Sequence, residues 1–104
     1  MSRWIAACAA DDVDDEDVVP FRHEGRDYAI VRSPAGDFHA IDGHCTHERE
    51  LLCDGLVLGS TIECPKHNGR FDYTSGEALG APVLVGLRTY PARVQDGTVH
   101  IEID

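Results

Sequence analysis

Two pairs of cysteine and histidine are the residues of this sequence best suited to chemistry. Cys45 and His47 form a C-x-H pair, and after sixteen intervening residues Cys64 and His67 form a C-x-x-H pair. Two thiolates and two imidazoles in this order suit a [2Fe–2S] cluster in which both cysteines bind one iron and both histidines bind the other. Thiolate is a soft donor that holds ferric iron, and neutral imidazole leaves its iron easier to reduce. The pattern therefore predicts a one-electron centre held by these four residues.

A structural zinc site is the main alternative for the same four side chains. Zinc accepts two cysteines and two histidines, but its usual order places the cysteines in one half of the motif and the histidines in the other. Here each half of the motif contains one cysteine and one histidine, which favours the diiron cluster. Ultraviolet–visible absorption separates the two, since a zinc protein is colourless.

Chain length, net charge and cysteine content limit the number of domains, the class of partner and the cellular location. A chain of 104 residues predicts a single domain spanning 1–104. Nineteen acidic residues against nine basic ones give a net charge of −10, which argues against nucleic acid as a partner. No apolar run approaches the roughly 18–20 residues of a membrane span. Because two of the four cysteines are better explained as metal ligands than as disulfides, we expect a reducing, cytoplasmic location.

The elements that position these ligands are expected to be short strands, because apolar alternation and turn residues recur along the chain. Longer strands are predicted at 4–9, 18–23, 28–32, 38–41, 87–94 and 98–103, and shorter ones at 61–64 and 70–73. One helical turn is predicted at 48–52. The fold class that follows is all-β: an antiparallel sandwich or partly open barrel, with a small β cluster-binding subdomain at about 43–85 inserted into the larger framework.

The amino-acid sequence around the ligands resembles that of a known family. The stretches concerned are Cys45-Thr46-His47-Glu48-Arg49, Ile62-Glu63-Cys64-Pro65-Lys66-His67-Asn68-Gly69-Arg70-Phe71-Asp72, Thr74-Ser75-Gly76-Glu77-Ala78 and Ala81-Pro82-Val83. They resemble the Rieske-type ferredoxins of bacterial ring-hydroxylating oxygenase systems, such as the carbazole and biphenyl dioxygenase ferredoxin components, and especially the rhizopine-catabolism (MocE-like) branch. The resemblance covers essentially the whole chain. It implies a carrier that accepts an electron from an NAD(P)H-dependent, flavin-containing ferredoxin reductase and passes it to a terminal non-haem iron oxygenase without contacting the organic substrate.

The same resemblance suggests roles for several residues near the ligands. Pro82 matches the third loop of the family, which covers the cluster and limits water access. Glu50 and Lys66 stand where respiratory Rieske proteins have a bracing disulfide. Gly69 and Phe71 stand where those proteins carry hydroxyls near the cluster sulfurs, so we expect a potential in the lower part of the roughly −150 to +300 mV Rieske range. Gly69→Ser should raise it.

Some alternatives stay open at the level of the sequence. The acidic run from Asp11 to Asp17 is either a solvated loop or a docking surface for a basic partner. Cys8 and Cys53 are expected to be packing residues rather than ligands. An iron–sulfur redox sensor, or a small subunit tightly bound in a larger oxidoreductase, would also fit the motif. The charged surface favours a free, monomeric carrier.

Overall fold

The architecture consists of three antiparallel sheets. The computed structural model describes residues 2–46, 50–65, 69–80, 83 and 85–104. Within these residues the strands are β1 (Arg3–Ala9), β2 (Asp17–His23), β3 (Arg26–Arg32), β4 (Phe38–Asp42), β5 (Leu56–Leu58), β6 (Thr61–Glu63), β7 (Arg70–Asp72), β8 (Thr89–Tyr90), β9 (Ala92–Gln95) and β10 (Thr98–Ile103). The sheet orders are β1-β10-β9, β2-β3-β4-β8 and β5-β6-β7, and all pairings are antiparallel. The predicted all-β antiparallel fold is confirmed.

The β2-β3-β4-β8 sheet is buried on both faces, and β3 shows this most clearly. Tyr28 and Ile30 point to one side, where they join a core with residues of β1 and β10, which we call the basal core. Ala29 and Val31 point to the other side. This alternation is the period-2 pattern of a strand. The sheet therefore separates two apolar layers, and only the second layer contains candidate ligands.

The second layer, here called the ligand core, is formed by β3 and β4 together with the β5-β6-β7 sheet. Val57, Ile62 and Phe71 lie opposite one another in register across the three short strands, and all three are buried. Cys45 and Cys64 belong to the same core. The β5-β6-β7 sheet thus lies between β4 and β8 in the sequence and packs on the framework in space. The assignment of 43–85 as a cluster-binding subdomain stays a prediction.

The strand predicted at 87–94 is wrong as a single element. The structure divides it into β8, which pairs with β4, and β9, which pairs with β10. Pro91 lies between them, and proline has no N–H with which to continue a ladder. The chain therefore changes sheets at this residue.

Three smaller features differ from the sequence-based expectations. β5 was not predicted, because three residues are too short to show a period. The helical turn lies at Leu52–Asp54 as a 3₁₀ turn rather than at 48–52, and residues 48 and 49 lie outside the described residues. The only other 3₁₀ turn in the described part of the chain is Ala10–Asp12.

No helix among the described residues has the length and apolar character needed to cross a membrane.

The acidic run lies at the end of the framework opposite Cys45. Asp17 pairs with Arg32, which pairs with Phe38 at the start of β4, whereas Cys45 follows the other end of β4. Five residues of strand place about 15 Å between the two ends. Arg32 holds the run in place through an ion pair with Asp15 at 3.1 Å. The structure therefore places these carboxylates away from the first ligand.

We expect Tyr90→Phe to weaken the link between β8 and β4. The Tyr90 hydroxyl donates to Asp42 Oδ1 at 2.5 Å, and burial, followed by this hydrogen bond, raises the pKa of Tyr90. Because the pKa is higher in the folded state, the stabilisation is complete below about pH 10 and is lost as the pH rises further. Urea unfolding at pH 7 should show a loss of about 1–2 kcal/mol. The difference between wild type and variant should shrink toward pH 11, and a constant difference would contradict the assignment.

Candidate metal centre

The first ligand loop begins directly after β4. Cys45 is 6% exposed, and its backbone N–H donates to the carbonyl oxygen of Glu50 at 3.0 Å. The backbone N–H of Leu52 donates to Gly43 at 2.8 Å, and His44 forms an antiparallel bridge with Leu51. The two ends of this loop, which contains His47 in the sequence, are therefore tied together.

The second ligand loop connects β6 and β7 and is closed in the same way. Cys64 is 1% exposed, and its backbone N–H donates to the carbonyl oxygen of Gly69 at 2.6 Å. In both loops the cysteine N–H thus bonds to the carbonyl five residues later. The two loops have equal length although one carries the C-x-H pair and the other the C-x-x-H pair. Each cysteine side chain lies at the buried base of its loop, and each histidine lies within the loop in sequence.

A third segment, from Gly80 to Leu87, is attached to the first two loops. The Thr46 hydroxyl donates to the Val85 carbonyl at 2.6 Å, and the side chain of Val83 packs against Gly69. The N–H of Val83 donates to the Gly80 carbonyl at 3.1 Å. Thr46 was not singled out in the sequence, where it is only the middle residue of the C-x-H pair. Its contact joins residues 39 apart, and a single sequence carries no signal for it.

Close backbone crossings hold this region together at glycines. A Cβ at Gly43 would lie 2.8 Å from the backbone of Asp27, and a Cβ at Gly55 would overlap the carbonyl oxygen of Glu63. A Cβ at Gly76 would overlap the carbonyl oxygen of Leu87, and Gly76 also has a φ of +84°. Side chains at these positions would push the ligand loops away from the framework.

Asp72 fixes the turn that leads from β7 to Gly76. Its Oδ1 accepts hydrogen bonds from the Thr74 hydroxyl at 2.5 Å and from the Thr74 N–H at 2.8 Å. The hydrogen bond from the Thr74 side chain is the main reason why the pKa of Asp72 is lowered. The carboxylate therefore stays ionised at neutral pH and keeps its acceptor role.

The remaining predicted site residues are only partly covered by the structure. His47, His67 and Pro82 lie outside the described residues, and so do Glu48 and Lys66. Accordingly, the described residues alone contain no group of three or more metal-ligating side chains. All four cysteines are described, and none of them forms a disulfide. The structure brings Cys45 and Cys64 into one core, and the roles of both histidines and of Pro82 stay predictions.

Cys8 and Cys53 differ from the two loop cysteines. Cys8 lies on β1 beside the basal core and Cys53 lies beside the ligand core, and both are half-buried. Burial is the main cause that raises the pKa of each thiol, and the neighbouring carboxylates of Asp12 and Asp54 add to it. A raised pKa disfavours the thiolate form that binds metal.

The donor set fits an iron–sulfur cluster. Two thiols are buried at the bases of two matched loops, and soft, deprotonated sulfur is the donor that such clusters require. Within the described residues, the only buried polar side chain apart from tyrosines is Ser33, which lies in the β3–β4 turn. The tyrosine of the ligand core, Tyr73, donates its hydroxyl to the Gly59 carbonyl. An apolar surround limits water around a bound group and so influences its potential.

Gly69 is kept small by packing. A Cβ at Gly69 would lie 2.7 Å from Cγ1 of Val83, which is closer than a Cβ approaches a neighbouring heavy atom in proteins. A serine at this position needs space that Val83 occupies.

We therefore expect Gly69→Ser alone to lower the free energy of unfolding by about 1–3 kcal/mol through overpacking. In a Val83→Ala background the same substitution should cost at least about 1 kcal/mol less. Urea unfolding of the four proteins of this cycle measures the coupling. Protein-film voltammetry on the double variant then tests whether the hydroxyl raises the potential. Additive free energies would show that Val83 does not restrict residue 69.

Sequence comparison places this geometry in a known family. The family model of the Rieske [2Fe-2S] domain matches residues 3–91. The ferredoxin component of the naphthalene 1,2-dioxygenase system of Pseudomonas putida is 39% identical over 101 residues, covering 97% of this chain and 96% of that protein. The ferredoxin component of the p-cumate 2,3-dioxygenase system of Pseudomonas putida is 31% identical, covering 99% and 88%.

Solved structures agree with the sequence comparison. The ferredoxin of Sphingomonas yanoikuyae B1 superimposes with a TM-score of 0.91 at 32% identity, covering 98% of this chain and 100% of that one. A ferredoxin in a complex of reduced oxygenase and oxidised ferredoxin from carbazole 1,9a-dioxygenase gives a TM-score of 0.87 at 29% identity, covering 94% and 91%. This chain therefore belongs to the Rieske [2Fe–2S] family, as an electron-carrying ferredoxin with a Rieske-type cluster.

Proposed function

We propose that this protein carries single electrons from an NAD(P)H-dependent, flavin-containing ferredoxin reductase to the terminal Rieske non-haem iron oxygenase of a ring-hydroxylating system. The observation that supports this most strongly is the pair of buried cysteines on two matched loops, in a chain that aligns over nearly its whole length with dioxygenase ferredoxin components. The complex of oxygenase and ferredoxin in the carbazole system gives the precedent for the partner.

Within this proposal, Cys45 and Cys64 bind one iron, and His47 and His67 bind the other. Pro82 covers the cluster, and segment 43–85 is the cluster-binding subdomain. The bound cluster supplies the site that gains and loses one electron. The protein contributes the burial of both thiols, the backbone closure of both loops and the attachment of the third segment through Thr46. These contacts keep the ligands in place when the charge of the site changes.

The names of the related proteins support a carrier rather than a catalyst. In the p-cumate and naphthalene systems, the matching relatives are named as ferredoxin components, not as oxygenases. We propose that the organic substrate binds only to the oxygenase. We further propose that the protein works in the cytoplasm as a monomer, for which size-exclusion chromatography at several concentrations is the test.

An electron-transfer assay tests the proposed function. Anaerobically reconstituted protein is mixed with NADH and the reductase of the Pseudomonas putida naphthalene system, and the visible absorption of the cluster is followed. The absorption should bleach, and it should return when the oxidised terminal oxygenase of that system is added. Bleaching without reoxidation by that oxygenase, or by those of the p-cumate and carbazole systems, would contradict the proposal and favour a sensor.

A further inference from the structure

The outer face of the β5-β6-β7 sheet carries two exposed leucines, both on β5. Val57 points into the ligand core, so its neighbours Leu56 and Leu58 point outward, and they are 54% and 51% exposed. Leu79 is bonded through its N–H to Arg70 on the far side of the sheet, and it is 46% exposed. Leaving large apolar side chains exposed to water forgoes the free energy of burying them. Exposed apolar side chains grouped on one face of a small, strongly charged protein indicate a surface that a partner covers.

These side chains are unevenly distributed over the molecule. Five large apolar side chains are well exposed in the described part of the chain, namely Leu56, Leu58, Leu79, Val85 and Val94. Four of them belong to the region between β5 and the third segment, and Val94 alone lies on the basal framework. Val85 is also the residue whose carbonyl accepts the Thr46 hydroxyl. The exposed apolar surface is therefore concentrated around the ligand loops.

The face leads directly to a ligand. Leu56 lies opposite Glu63 in the β5–β6 pairing, and Cys64 is the next residue. A surface depression beside them is lined by Asp54, Gly55, Leu56, Glu63, Cys64 and Pro65. A partner side chain entering this depression would contact the wall that contains the buried cysteine. Binding here would therefore bring the partner close to the redox centre.

The charges around the leucines define the chemistry of the partner. On the outward face, Glu63 lies opposite Leu56, Asp72 lies two strands away from Leu58, and Asp54 lines the depression. Arg70 lies opposite Glu63 and offsets one of these charges. Among the residues that the structure describes, three carboxylates against one guanidinium leave the rim acidic. The complementary surface is an apolar patch with a rim of lysine or arginine side chains.

The geometry points to this face, which we call the leucine face (Leu56, Leu58 and the depression beside Cys64), as a docking surface for the electron-accepting oxygenase, with an apolar centre and a basic rim on the partner. This inference rests on the proposed function. The oxygenase is the occupant because the face is continuous with Cys64, a cluster ligand in that proposal, and because the ferredoxin of the carbazole system forms a complex with its oxygenase. The acidic run borders this face at its far end from Cys64, since the N–H of Gly59, the residue after Leu58, donates to Glu16.

The test compares two sets of threonine variants, because threonine keeps strand propensity while removing apolar surface. Leu56→Thr/Leu58→Thr alters the leucine face. Val94→Thr is the matched control, since Val94 is 48% exposed on another sheet. Absorption spectra and thermal unfolding verify that all proteins fold and hold the cluster. Stopped-flow mixing of each reduced protein with the oxidised naphthalene, p-cumate and carbazole oxygenases then gives second-order rate constants for reoxidation.

We expect the double variant to be reoxidised at least about tenfold more slowly than wild type by the oxygenase that wild type serves best. The control should stay within about twofold. Asp54→Asn should weaken the salt dependence of the rate. Equal rates for wild type and the double variant would overturn the inference, and so would a loss confined to reduction by the reductase. Failure of the wild-type protein with all three oxygenases would instead contradict the proposed function.

Discussion

Cys64→Ser is expected to yield a folded protein that contains no [2Fe–2S] cluster. The side chain is 1% exposed at the base of the second ligand loop, and serine fills nearly the same space. A serine hydroxyl is harder than a thiolate and remains protonated at neutral pH, so it replaces sulfur poorly at iron. Iron and sulfide analysis after anaerobic reconstitution should fall to background, with the visible absorption lost as well. Cys45→Ser should behave in the same way.

The other two cysteines supply the matched controls for this experiment. Cys8→Ser and Cys53→Ser alter half-buried thiols whose pKa values are raised mainly by burial. Both variants should keep the full iron content and the wild-type spectrum. A cluster retained by Cys64→Ser, or lost by Cys53→Ser, would show that the ligand assignment is wrong.

Gly76→Ala is expected to have the largest effect on stability. The added methyl group would overlap the carbonyl oxygen of Leu87, a backbone atom that cannot rotate away, and φ at this residue is +84°. The N–H of Leu87 also donates to the Gly76 carbonyl at 2.7 Å, so the two chains cannot separate without losing this bond. We expect the free energy of unfolding to fall by more than about 4 kcal/mol, which is exceptional for one substitution. Urea unfolding measures it.

Gly25→Ala isolates the conformational part of that effect. Gly25 has a φ of +80°, close to that of Gly76, but a Cβ there would meet nothing within 4 Å. The cost should therefore be only the left-handed backbone penalty of about 1–2 kcal/mol. If the two variants lost equal stability, the crossing at Leu87 would not be a constraint on the ligand region.

The framework strands could be predicted from the sequence because their signals are local. Short apolar runs mark β2 and β3, alternating apolar residues mark β10, and the Asp-Gly pair at residues 96 and 97 marks the last hairpin. The division of 87–94 at Pro91 could also have been anticipated, since proline cannot continue a central strand. What could not be predicted is which sheet each half joins, because this depends on distant residues of β4 and β10.

The same distinction applies to the site. The identity of Cys45 and Cys64 as candidate ligands follows from spacing alone, and their burial in one core agrees with it. Other features of the site depend on contacts that the spacing does not show. These are the equal closure of the two loops, the hydrogen bond from Thr46 to Val85 and the packing of Val83 against Gly69. Such contacts leave no periodic pattern. The sequence also did not reveal that the acidic run and Cys45 lie at opposite ends of β4.

Pulsed electron paramagnetic resonance on the reduced, reconstituted protein tests the account most directly. Protein labelled with ¹⁵N only in its histidines should show hyperfine coupling from two imidazole nitrogens to the cluster spin, as expected if His47 and His67 bind one iron. Substituting either histidine should remove one coupling or the cluster itself. A diiron signal without histidine nitrogen coupling, or no paramagnetic signal from fully loaded reduced protein, would contradict the account.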